Sequence, residues 1–118
     1  SMEQLTQAAR AIGVTIEKHG AFPSDGTENA QLVEAAAHEC LTNLIRHAGG
    51  SRLEMTGERV ANGWHIEYQN DGAPPSEGGG LSSLRKRIEA AGGTMTVYHA
   101  PRFLLTLNLP EETEEHAE

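Results

Sequence analysis

The sequence predicts an α/β fold: a two-layer sandwich with a mixed, mostly antiparallel sheet and its helices packed on one face. Three observations carry that prediction. Segments of strand and helix character follow one another as strand, helix, hairpin, loop, helix, hairpin. The pair Asn62-Gly63, a strong signal for a tight hairpin turn, joins two of the strand-like runs. Apolar residues recur at helical spacing in two segments that each end in paired glycines, Gly49-Gly50 and Gly92-Gly93.

Each element has its own signature. "EQLTQAARAI" reads as the end of a helix, so residues 1–10 are expected to close a linker helix from an upstream domain, behind an expression scar at Ser1-Met2. "GVTIEKHG" alternates, with Val14 and Ile16 on one face, and reads as a short strand. Pro23 and Asp25-Gly26 supply turn chemistry for the loop that follows. A long helix is expected from about Glu28 to Ala48. "RLEMTGERV" and "WHIEY" form the hairpin around Asn62-Gly63, with Trp64, Ile66 and Tyr68 on a shared face. Leu81, Leu84, Ile88 and Ala91 mark the second long helix. "TMTVYHA" and "RFLLTLNL" close the sheet, with Phe103, Leu105, Leu107 and Leu109 facing one way. Residues 11–110 are read as one domain, and residues 111–118, "EETEEHAE", as an acidic disordered tail.

Composition bounds what such a fold does. At 118 residues the chain is long enough for one core without disulfide staples, and its single cysteine, Cys40, suits a reducing cytoplasm. A formal charge of −8 argues against binding a nucleic-acid backbone. No apolar run approaches a membrane span.

On a helical wheel of the long helix, Val33, Ala36, Ala37, Cys40, Leu44 and Ala48 form the apolar centre, extended by Leu41 and Ile45. Beside it lie Glu39, Asn43, Arg46 and His47, with Glu39–Asn43 and Asn43–His47 each one turn apart. Two readings fit this row. It is a solvated face, or it is a set of oxygen and cation groups turned to a ligand, where amide and carboxylate oxygens suit Mg²⁺ and Arg46 suits phosphate.

The stretch "NDGAPPSEGGGLSSLRKR" sharpens the question. Glycines are costly to order, and three in a row directly before a helix let backbone N–H groups approach an anion at the positive end of the helix dipole. A plain surface turn and helix cap remains the alternative. The spacing excludes a Walker phosphate loop, which needs Lys and Ser or Thr after its glycines, and the dinucleotide pattern fails at Ser83.

Taken together, "HECLTNLIRHA" and "NDG…GGGLSSLRKRIEAAGGTMTV" resemble the ATP-binding domain of bacterial two-component sensor histidine kinases, of the GHKL or Bergerat-fold superfamily. The likeness runs from about Gly13 to Pro110. It implies that Asn43 ligates Mg²⁺ bridging the nucleotide phosphates and that Glu39 is the catalytic residue, positioning or deprotonating the attacking group. It implies that Arg46 and His47 lie near the phosphates and that Asn70, supported by Asp71, accepts a hydrogen bond from the adenine amino group. Gly72 then lets backbone pass under the base, and Gly78, Gly79, Gly80 and Leu81 hold phosphate at the lid and helix start. Three positions depart from the family pattern: Asn70 stands for Asp, Pro74 for the second Gly, and Ser82 for another Gly.

The resemblance further implies ATP and Mg²⁺ as ligands and transfer of the γ-phosphate to a histidine on a separate dimerisation domain, for relay to a response regulator. It implies a cytoplasmic domain, monomeric in isolation and homodimeric in the full protein, whose parent is either membrane-anchored or not. Two rivals stand beside it: a degenerate module that senses nucleotide or binds protein, and a serine kinase of the anti-sigma-factor type.

Overall fold

The computed structural model describes residues 1–72, 79–99 and 101–112. Helix α1 (Met2–Ala11) leads into strand β1 (Thr15–Gly20). Helix α2 (Glu28–Asn43) continues into a π-helical segment (Leu44–Ala48). The hairpin β2 (Arg52–Val60) and β3 (Gly63–Asn70) follows, then α3 (Gly79–Ala90), β4 (Thr94–Tyr98) and β5 (Leu104–Pro110). The sheet order is β1-β2-β3-β5-β4. Strand β1 runs parallel to β2, and the neighbouring pairs β2–β3, β3–β5 and β4–β5 are antiparallel. The expected mixed, mostly antiparallel sandwich is therefore what forms.

The pairing register makes one face of the sheet apolar. Met55, Tyr68, Leu105 and Val97 lie in one row across β2, β3, β5 and β4, and Gly57, Ile66, Leu107 and Met95 lie in the next. A third row joins Ile16, Leu53 and Asn70. Leu32, Val33, Ala36, Ala37, Cys40, Leu41 and Leu44 from α2, with Leu84 and Ile88 from α3, are buried in the same core. A 16-residue helix is near the margin of independent stability in water, about 12–15 residues, so α2 depends on this packing. Inside the core the Tyr68 hydroxyl donates to the Val33 carbonyl oxygen at 2.8 Å, tying β3 to α2. Alternation puts Glu17, Glu54 and Gln69, and His19, Thr56 and Glu67, on the opposite face.

The long helix differs from expectation at its end. The α-helical pattern stops at Asn43, and Gly49 N–H bonds back to the Leu44 carbonyl, five residues earlier, at 3.2 Å. The wider turn rotates the side chains of Ile45 and Arg46 off the core. Ile45, expected to extend the apolar face, is consequently 50% exposed. Gly49 ends the segment at φ 66°, a left-handed cap that glycine adopts without strain.

The described chain also holds on past Pro110. Glu111 N–H donates to the Asn62 carbonyl at 2.9 Å, and Glu112 accepts from the Glu28 N–H at 2.9 Å, placing a carboxylate at the positive end of α2. Residues 113–118 of the expected tail lie outside the described residues. Among the described residues no helix is long and apolar enough to cross a membrane.

Candidate functional site

Helix α2 is aimed by its ends. The Thr27 side chain accepts from Ala30 N–H at 3.1 Å, a cap that satisfies a free donor of the first turn. Asn29 is buried near it and donates to the Pro110 carbonyl oxygen at 2.9 Å. The far end carries the polar row. Glu39 and Asn43 are half-buried, one turn apart, and Arg46 is exposed on the π segment. The Asn43 side chain makes no capping hydrogen bond, although it opens that segment. His47 belongs to the same segment. Cys40, on the apolar arc, is fully buried, and burial pushes its thiol far above the usual range, so it is a core thiol.

Glu39 also lines a groove of about 360 Å³ with Gln31, Glu34, Ala35, His38 and Arg87. The fold brings Arg87 from α3 to the acidic side of α2. Helical spacing within either segment carries no signal for that meeting, because it depends on how α2 and α3 pack.

The end of β3 meets the end of α2 at Gly50. A Cβ on Gly50 would overlap Asp71 Oδ1 and lie 2.5 Å from Leu44 Cδ1 and 2.9 Å from the Gly72 nitrogen. The strand end is fixed by two acidic-box side chains in different ways. Asp71 accepts from Ser51 N–H at 2.8 Å, from Arg52 N–H at 3.0 Å and from the Ser51 hydroxyl at 3.1 Å. The Arg52 and Ser51 N–H groups hold its carboxyl below the usual carboxylate range. Its oxygens are therefore engaged in closing the strand end.

Asn70 is buried, and its Oδ1 accepts the Gly72 N–H at 2.9 Å, forming a local turn. The amide oxygen expected to meet the base thus has a partner inside the protein. Its Nδ2 is enclosed and has no acceptor among the described residues. The structure therefore groups Asn70, Asp71 and Gly72 with Leu44 and Gly50, directly after Asn43.

Gly79 and Gly80 open α3, and Leu81 in its first turn is half-buried against the core. Gly78 lies outside the described residues. Of the other ionisable groups, Glu17, His19 and Glu54 cluster on the open face of the sheet, turned away from α2.

Comparison with known proteins now bears on this arrangement. No family model matches the chain. Over 78 residues, 62% of its length, it is 30% identical to the signal transduction histidine-protein kinase/phosphatase UhpB of Salmonella typhimurium, and it spans 16% of that protein. Its fold matches the Acinetobacter baumannii histidine kinase AdeS with a TM-score of 0.75 at 16% identity, covering 95% of this chain and 64% of that one. The ATP-binding domain of PrrB from Mycobacterium tuberculosis matches with a TM-score of 0.69 at 18% identity, covering 93% of this chain and 90% of that one. The fold is that of histidine-kinase ATP-binding domains, and over 78 residues the sequence is similar to that of a histidine-protein kinase.

Proposed function

We propose that this chain holds Mg²⁺-ATP for a sensor histidine kinase, at the junction where α2 and β3 end. The observation that carries the reading is the enclosed Nδ2 of Asn70, without a partner among the described residues, beside a glycine junction too tight for a Cβ. A buried donor without an acceptor costs about 1–3 kcal/mol, and a ligand that supplies the acceptor removes that cost. The half-buried Asn43 amide, which caps no helix end, suits a cation that also takes phosphate oxygens. These residues fit a nucleotide.

When bound, Mg²⁺-ATP supplies the γ-phosphoryl group, which passes to a histidine on a separate dimerisation domain for relay to a response regulator. The chain contributes position and charge. Asn43 offers the metal an oxygen. Arg46, exposed beside it, meets phosphate charge, with His47 next along the segment. Backbone N–H groups of Gly79, Gly80 and Leu81, which open α3 just after Gly78 in the sequence, carry the positive end of its dipole toward phosphate. Gly72 leaves room for the base. Asp71 keeps the strand end in register by gripping Ser51 and Arg52. Glu39 acts as the catalytic residue, orienting the incoming imidazole or taking its proton; its place on a groove shared with His38 and Arg87 leaves it accessible to a docked helix. The domain works in the cytoplasm, monomeric alone and paired in the full protein.

Calorimetry with Mg²⁺-ADP tests the reading. Saturable binding that Asn43→Ala abolishes supports it. No binding at millimolar nucleotide by the folded chain overturns it in favour of an interaction module. The acceptor histidine lies on another domain in this reading, so the isolated chain incorporates no phosphate from ATP by itself.

A further inference from the structure

The row of the sheet at the end of β3 closes in an amide whose two sides are not equivalent. Asn70 continues the row of Ile16 and Leu53 and is 7% exposed. Gly72 N–H takes its Oδ1 at 2.9 Å. That bond decides the orientation of the amide, since turning it over would set the Nδ2 hydrogens against another N–H. The enclosed group left without a partner among the described residues is consequently a donor, Nδ2.

We infer that Asn70 is a fixed hydrogen-bond donor to the nucleobase, and that it selects a base by an acceptor on the edge rather than by an exocyclic amino group. The inference rests on the nucleotide-binding reading above. A carboxylate at this position has acceptors only and demands a donor from the base. Adenine meets that demand with its 6-amino group, whereas the 6-keto oxygen of hypoxanthine or guanine opposes it. Asn70 reverses the demand. Adenine satisfies it with a ring nitrogen and a keto purine with its 6-oxygen or N7. The ligand class is then purine nucleotides irrespective of the 6-substituent.

The test compares magnesium complexes of adenosine diphosphate and inosine diphosphate by calorimetry, on the wild-type chain and on Asn70→Asp. Asp retains an acceptor for Gly72 N–H, so the turn survives, and a melting curve checks this. The wild-type chain is expected to bind the two within about threefold of each other, and Asn70→Asp to favour the adenosine form by about tenfold or more. A wild-type preference for the adenosine form beyond about tenfold overturns the inference alone. So does a variant whose ratio equals that of wild type. If Asn70→Asp does not fold, the wild-type ratio decides by itself. Failure of the folded wild-type chain to bind either nucleotide overturns the nucleotide reading and this inference with it.

Discussion

Asp71 grips Ser51 three ways at once with its neighbour: through the Ser51 N–H at 2.8 Å, the Ser51 hydroxyl at 3.1 Å and the Arg52 N–H at 3.0 Å. The contact joins the end of β3 to the start of β2 across the glycine junction that follows α2. Asp71→Ala is expected to free that junction, lowering the melting temperature by a few degrees and weakening nucleotide binding. Asp71→Asn keeps one acceptor oxygen and should lose less of both. The pH dependence has a definite sign. The carboxyl is held below its ordinary value of 3.8, so its contribution is present above that value and is lost as pH falls through the folded-state value. Acid unfolding of wild type and Asp71→Ala should converge once pH has fallen below 3.8 and through the folded-state value. Melting curves at neutral and acid pH measure both effects.

Tyr68 offers a cleaner measure of the bond between the layers. Its ring lies in the sheet's central row, and its hydroxyl reaches the Val33 carbonyl oxygen of α2 at 2.8 Å. Tyr68→Phe keeps the ring and removes the hydrogen bond. The expected loss is about 1 kcal/mol, with little change of shape. Urea denaturation should show a lower midpoint at unchanged slope. A loss near zero would mean that the α2 carbonyl is satisfied by its helix alone.

Most of this architecture was legible from alternation and turn chemistry. The run from Phe103 to Leu109 alternates because β5 buries one face, and Asn62 adopts φ 65° where the tight turn requires it. What escaped was set by packing or by orientation. A 3.6-residue period has no mark for the π segment, so Ile45 was placed on the core that it leaves. Asn70 and Asp71 were both recognised as strand-end polar groups. Which atom of each is engaged by the backbone depends on two N–H groups, of Gly72 and Arg52, that only the folded turn supplies. The grip of Glu112 on the start of α2 spans 84 positions and leaves no local trace.

Gly50→Ala probes the junction itself. The added methyl would overlap Asp71 Oδ1 and crowd Leu44 Cδ1 and the Gly72 nitrogen. Backbone and carboxylate cannot yield as a flexible side-chain tip can. The expected cost is about 1–3 kcal/mol, as for overpacking elsewhere. Because Leu44 adjoins Asn43 and Gly72 adjoins the proposed base position, nucleotide affinity should fall by more than in Tyr68→Phe at equal stability. Calorimetry on both variants, well below their melting temperatures, separates local distortion from global loss; equal affinities would break the link between this junction and the site.

His65 gives a pH test on the opposite face of the sheet, away from the proposed nucleotide site. Its Nδ1 faces Asn108 Oδ1 at 2.8 Å and its Nε2 faces a Glu67 oxygen at 3.0 Å. Asn108 Nδ2 donates to the Thr94 hydroxyl at 3.3 Å, which turns the amide oxygen toward the ring. Both ring nitrogens therefore meet acceptors, and the imidazolium is favoured. The hydrogen bond to Asn108, then that to Glu67, raises the ring above its ordinary 6.5. A raised value means that the stabilisation is complete below pH 6.5 and is lost as pH rises through the folded-state value. The ring is 30% exposed, so solvent screening keeps the effect at or below about 0.5 kcal/mol. Proton NMR should find His65 titrating above the ordinary 6.5, and His65→Gln should remove the fall in stability as pH rises beyond that value. A wild-type slope that survives His65→Gln would assign the effect to another group.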